Sequence, residues 1–427
     1  MRRRLLAATV LLLVLTACAP GPEDPQSPLR TPTPGSPTPT AASSTVDPSQ
    51  ASSVTLQLWL PAELGPSSSQ PGAAVLTQQL DQFVASSAAA RVDVTMKADL
   101  GEESLLSFLV AASSAAPSVL PDLAAISSAD LKTAFDAGLL QPLDGLLAQE
   151  RLDDQFDFAA QLTTIEGEQV AFVLGAEILH AAYRPARVAS PPVSWTLVLS
   201  GRVSYLFPAA GQDGQVNEAT LLQYLAAGGE LTDTEGNAFF DAEPFADVLD
   251  FYRACVVRGA VAPATVLAIE DADDAWDRFV AGEGALSVVH SRRYWLEADE
   301  SMAPVQLPTR DGSPSSLASG WVIILITDSP TRQAAAKALI EWLTEPGVHA
   351  AWTSASGYLP ATNEGLAGWD VSAGDRTVLR ALLESAAPRP AVAATTLKAM
   401  QEALEAVLQG EESPAEAAEK ALQPAEP

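Results

Sequence analysis

Val54-Thr55-Leu56-Gln57-Leu58-Trp59-Leu60 alternates apolar and polar side chains, the period of a half-buried strand. Helical spacing follows over 73–83, and Arg91-Val92-Asp93-Val94-Thr95-Met96 alternates again. A second helical stretch covers 102–112. The apolar run Asp122-Leu123-Ala124-Ala125-Ile126 comes next, and a third helix is expected over 128–137. Three rounds of strand then helix predict parallel strands with helices on their faces, the α/β class.

Outward from this stretch the pattern changes. Strands are expected at 169–175, 178–183, 203–207 and 285–289, and a helix at 217–227. The stretch 243–258 carries Phe245, Val248, Leu249, Tyr252 and Val256 at helical spacing, with Asp241 placed to cap its start and Gly259 its end. A helix over 271–281 puts Trp276, Phe279 and Val280 on one side. Ser329-Pro330 opens another, running to Leu343. Helices at 377–385 and 394–408 follow, the latter closed by Gly410, and Ser413-Pro414-Ala415-Glu416 has capping-box spacing.

Before Val54 the chain is of another kind. Arg2, Arg3 and Arg4 precede an apolar run from Leu5 to Leu15, and Leu15-Thr16-Ala17-Cys18 follows. The run is an export signal, too short to span a bilayer. The four residues ending at Cys18 resemble the bacterial lipobox, which implies cleavage before Cys18 and a lipid on its sulfur. Residues 1–17 are then a signal peptide. Residues 18–53 are the lipidated cysteine and a Pro/Ser/Thr-rich disordered linker, with a mean reach of ~30 Å as a coil. A lipid with two chains holds a protein on a membrane at ~0.8 kcal/mol per buried methylene.

The net charge is −29. Cleavage removes three arginines and no acid, leaving 21 basic against 53 acidic side chains, or −32. Such a chain is a poor match for nucleic acid or anionic headgroups. Cys255 has no partner once Cys18 is lipidated, so no disulfide is expected and the core must hold the fold. The length beyond the linker exceeds what one core usually serves, so two lobes are expected.

Several segments of the body, in order, resemble extracellular solute-binding proteins of the maltose-binding type. They are Leu58-Trp59, then Pro121-Asp122-Leu123 with Asp130 following, then Ala137-Gly138-Leu139-Leu140-Gln141-Pro142-Leu143-Asp144. Phe279 to Leu286, Gly320-Trp321-Val322-Ile323-Ile324, Leu339-Ile340-Glu341-Trp342-Leu343 and Gly357-Tyr358-Leu359-Pro360 complete the series. The resemblance implies a two-lobed periplasmic-binding-protein fold, each lobe a sheet flanked by helices, with a ligand cleft that closes as a hinge. It places the N-lobe at 54–163 plus 304–357 and the C-lobe at 164–303 plus 358–427. Pro191-Pro192-Val193-Ser194-Trp195 matches the start of a family helix, but strand-like Ser204 to Pro208 follows so soon that the helix is expected to be lost.

Sugar recognition needs flat apolar faces for C–H groups and polar side chains for hydroxyls. The resemblance puts Tyr294 or Trp295 against a sugar and opens Trp321 to the cleft. Trp59 ends a strand at the edge where α/β ligands bind. Asp130 and Glu177 are the candidate acceptors, and Arg292 with Arg293 stands out in so acidic a chain. Trp195, Trp276, Trp342 and Trp352 fit the core.

Other chemistries lack their residues. His180, His290 and His349 stand apart, with no metal-ligand spacing, and Glu270-Asp271-Ala272-Asp273-Asp274 lacks the glycine and closing glutamate of a calcium loop. No phosphate loop and no G-x-S-x-G elbow is present. Nothing singles out a carboxylate pair for glycoside hydrolysis. No cofactor and no enzyme activity is expected. The resemblance implies capture of a sugar or oligosaccharide at the extracytoplasmic face of the cell membrane and delivery to an ABC permease. A polyol or polyamine ligand, or a non-transport sensor or adhesion role, would use the same frame.

Overall fold

The alternation at Val54 becomes strand β1 (Val54–Pro61), whose Leu56, Leu58 and Leu60 are buried on one face. The computed structural model describes residues 54–422 apart from 88–89, 99–100, 102–103, 234, 236 and 238. Cys18 and the linker lie outside them. The strands after β1 are β2 (Ala90–Lys97), β3 (Leu123–Ser127), β4 (Thr164–Ile165), β5 (Glu168–Gln169) and β6 (Ala171–Tyr183). Next come β7 (Tyr205–Leu206), β8 (Leu286–His290), β9 (Ala303–Val305), β10 (Ser316–Leu325) and β11 (Ala386–Pro388).

Nine of these strands form one sheet in the order β2–β1–β3–β10–β6–β8–β7, with β11 on β10 and β9 on β6, while β4 and β5 pair separately. The expected parallel block is β2–β1–β3. β10 then enters antiparallel to both β3 and β6. Side chains alternate between two cores along these strands, as the strand period of two requires. Leu123 and Ala125 of β3, Phe172 and Leu174 of β6, and Ile323 and Leu325 of β10 enter one core. Ala124 and Ile126, Ala171 and Val173, and Val322 and Ile324 enter the other.

β6 joins the two halves of the molecule. Residues 171–178 pair with β10, and Leu179–Tyr183 pair with β8. Ala176 and Ile178 still belong to the first half, whereas Leu179 and Ala181 pack into a separate core with Phe245, Tyr252, Leu404 and Val407. Two strands were expected here, at 169–175 and 178–183, and the structure has one. Gly175 is no turn: a Cβ on it would lie 2.8 Å from the Tyr358 Cβ, so glycine serves a close approach within a continuous strand.

The helices follow their sequence signals. Ala242–Arg258 starts at Asp241, whose carboxylate accepts from the Glu243 amide at 3.1 Å, and ends at Gly259 with φ 74°. Ser413 and Glu416 form the expected capping box. The stretch expected at 102–112 is helical from Leu105, behind a Ser104 cap. The helix expected to be lost after Pro191–Trp195 is present as Trp195–Gly201. Ser194 caps it, and Arg202, in the left-handed region, ends it after seven residues, which leaves room for β7. Trp276, Trp195 and Trp352 are core residues, and Trp342 is partly buried with its indole N–H donating to Gln79 O. Cys255 is a buried free thiol, which desolvation pushes up to about 12. Among the described residues no helix is long and apolar enough to cross a membrane.

Candidate functional site

At the point where β6 passes from one core to the next, three pockets of about 470, 360 and 440 Å³ adjoin. Glu177, His290 and Ser319 line all three, so they form one cleft. Each compartment has the size of a small-molecule site. Glu177 and Ser319 face each other in the β6–β10 register, and His290 ends β8.

One end of the cleft is a linked set of side chains. Arg292 and Glu63 approach to 2.6 Å, and the guanidinium lies 4.8 Å from the Tyr358 ring centroid. Tyr358 donates its hydroxyl hydrogen to Glu63 at 2.5 Å and accepts from the Trp321 indole N–H at 2.8 Å. The indole N–H of Trp321 is therefore in use, and its ring is what it offers a ligand. Arg292 comes from the helix Ser291–Glu297, whose Tyr294 packs with Trp276 and Phe279, whereas Tyr358 belongs to a core of the first half. This ion pair thus spans the two halves.

The other end is built on the helix Glu218–Ala226, capped by Asn217. Glu218 receives His290 Nε2 at 3.2 Å and Arg389 at 3.2 Å. Desolvation pushes the Glu218 carboxyl up, but the His290 hydrogen bond and the two cations outweigh it and hold it below the usual range. Burial likewise lowers His290. The Glu218 bond and the charges of Glu177, Glu218 and Asp273 reverse that and raise it to about 9. His290 is then a cation and a donor at neutral pH.

Glu177 differs from both. Among the described residues it has no hydrogen-bond or ion-pair partner for its carboxylate. Desolvation raises its pKa, opposed by the charges of His290 and Arg292. A half-buried carboxylate facing a cleft with no protein donor accepts from water or from a ligand.

Of the residues expected from sequence, Glu177 and Trp321 line the cleft. Trp59 is half-buried on β1, with the Lys97 ammonium 4.8 Å from its ring centroid. Asp130 ends a short turn in which Ser128 and Ala129, not Asp130, reach the pockets. Desolvation raises its pKa. Tyr294 is 4% exposed and packs edge-on against His180 and Trp295, and Trp295 meets Trp369. The reason is the helix Ser291–Glu297, which was not anticipated after the strand expected at 285–289: it turns Tyr294 inward and carries Arg292 to the cleft. The spacing of Arg293 and Glu297, which are ion-paired at i,i+4, was its readable signal. Glu218 was legible as a helix start. Glu63, Ser319 and Arg389 carried no local signal. No group of side chains suited to holding a metal ion occurs among the described residues.

Comparison with known proteins gives a consistent result. A family profile described as bacterial extracellular solute-binding protein matches residues 85–373. Among curated proteins, none matches the sequence. Solved structures do. A cyclic alpha-maltosyl-1,6-maltose binding protein from Arthrobacter globiformis is 21% identical with a TM-score of 0.67, over 87% of this chain and 97% of that one. The sugar-binding protein MalE of Xanthomonas citri is 19% identical at 0.67, over 86% and 95%. A solute-binding protein of Agrobacterium radiobacter in complex with ribitol is 19% identical at 0.60, over 87% and 98%. The shared fold is two-lobed, and these neighbours are binding proteins, the Agrobacterium one of an ABC transporter.

Proposed function

Because the chain belongs to the bacterial extracellular solute-binding proteins, we propose that it captures a hydroxyl-rich solute, a sugar or oligosaccharide, and delivers it to an ABC import permease. The observation that carries this reading is the cleft at the β6 crossover. It combines the ring of Trp321, the open carboxylate of Glu177, the Ser319 hydroxyl and the donors of His290 and Arg292. An aromatic face beside convergent donors and acceptors suits a sugar ring.

The lobe divide follows the cores in this reading. The first lobe comprises 54–178 plus 318–386 and the second 179–317 plus 387–422. Trp369, Leu379 and Leu383 pack with β3 and β10, and on that ground we draw the divide here rather than at the 163, 304 and 357 expected from sequence. Of the site residues expected from sequence, Glu177 and Trp321 are kept as ligand contacts. Trp59, Asp130, Tyr294 and Trp295 become supports of the walls. Cys18, outside the described residues, carries the lipid anchor that holds the protein on the extracytoplasmic face of the membrane. Recovery of Cys18→Ala in the soluble fraction checks the anchor, and continued membrane association of that variant would refute it.

The test of capture is a thermal-shift screen of the full chain, in mild detergent, against sugars, oligosaccharides, polyols and polyamines. A ligand at 100 times its Kd adds ~2.7 kcal/mol and visibly raises the Tm. Stabilisation by sugars is expected. Stabilisation by none of these solutes would count against capture by this cleft.

A further inference from the structure

The cleft has an unbalanced charge lining. Its three compartments present seven carboxylates against three arginines and His290. Every basic group among them is already engaged. Arg292 meets Glu63, Arg389 and His290 meet Glu218, and Arg293 meets Asp277 and Glu297 at 2.8 Å each. Four of the acids, Glu177, Asp213, Glu270 and Asp271, have no basic partner among the described residues. Glu177 is the central one, since it alone of these four faces all three compartments.

A ligand that fills the cleft strips water from Glu177. An unpaired carboxylate removed from water is strongly disfavoured unless a donor replaces the water. A hydroxyl restores one hydrogen bond but leaves the buried charge uncompensated, whereas an ammonium restores the hydrogen bond and neutralises the carboxylate as an ion pair. An anionic ligand would find no free arginine and would face the surplus carboxylates.

Resting on the capture reading above and deepening it, we infer that the ligand carries a protonated amine, which docks against Glu177 at the β6 crossover. The Ser319 hydroxyl and the Trp321 ring beside it suit an amine borne on a sugar frame.

The experiment is calorimetric titration of the full-length protein with pairs in which N-acetylation removes the charge of the amine, and with glucose and galactose as neutral members that carry no acetyl group. Glucosamine, galactosamine and β-1,4-linked glucosamine oligosaccharides are compared with their N-acetylated forms, with galacturonate as the anion and spermidine as the amine without a sugar. The amines are expected to bind at least tenfold tighter than their N-acetylated partners, and galacturonate is expected not to bind. In Glu177→Gln, with its circular dichroism unchanged, the tenfold gap closes to about threefold or less. Tighter binding of the N-acetylated members or of galacturonate overturns the inference and leaves sugar capture standing. An amine preference that survives Glu177→Gln overturns the assignment to Glu177. Binding of spermidine alone upholds the amine and replaces the sugar. Binding by no member overturns both.

Discussion

At the scale of single residues, position on an element matters more than residue type. Trp59, Trp295 and Trp321 are all half-buried, and only Trp321 lines the cleft. Trp321 stands in the strand beside Glu177, with its N–H fixed on Tyr358. Trp321→Ala removes the ring together with its packing on the core and its bond to Tyr358, so the expected result is an affinity lower by on the order of tenfold, about 1.4 kcal/mol, and a lower Tm. Trp321→Phe keeps a face and is expected to lose less. Titration of both variants with the best ligand checks this, and equal affinity in Trp321→Ala would remove Trp321 from the site. Glu177 was legible as a candidate acceptor between the strands expected at 169–175 and 178–183. Its isolation from other side chains was not, because the nearest cations come from residues 290 and 292.

At the scale of elements, the β6–β10 pair sets the cleft. The sequence places Gly320 at a strand start, and in the structure it is the fifth residue of β10. A Cβ there would lie 2.3 Å from the Gly175 carbonyl oxygen and 3.1 Å from Ala176 Cα, next to the register shift at Trp321/Val322. Backbone cannot yield as a side-chain tip can. Gly320→Ala is therefore expected to cost about 1–3 kcal/mol and to weaken ligand binding by displacing Ser319 and Trp321. Urea unfolding gives the first number, and a midpoint equal to the parent's would show that the strands have slack. The single strand β6 was read as two from sequence because Gly175 resembles a break. The glycine answers to Tyr358, 183 residues away, and no local pattern reports that.

At the scale of the molecule, three histidines bracket the stable pH range. Desolvation lowers His180 and His349 to about 4, against an ordinary value near 6.5. The folded state keeps them neutral, so the stability they give is present above about 6.5 and is lost as pH falls towards 4. For His290 the sign reverses. Burial opposes its charge, but Glu218, Glu177 and Asp273 raise it to about 9, so its contribution is full below about 6.5 and is lost as pH rises through about 9. Denaturation midpoints from pH 4 to 10 are expected to form a plateau near neutrality. His290→Gln should flatten the alkaline side and, by releasing Glu218, also change the acid side. An alkaline slope identical in parent and variant would disprove the His290 contribution.

By itself the sequence determined the α/β class, the parallel strands β1 to β3, the helix ends marked by Asp241, Gly259, Ser413 and Gly410, and the likeness to solute-binding proteins. These depend on periodicity and on capping groups a few residues apart, which are local in the chain. Only the tertiary structure decided where the core divides, which aromatic side chain reaches the cleft, and which carboxylate is left without a cation. Arg292 meets Glu63 across 229 positions and Arg389 meets Glu218 across 171. Burial and electrostatic pairing depend on distance in space, and the path of β6 and β10 between the lobes sets that distance.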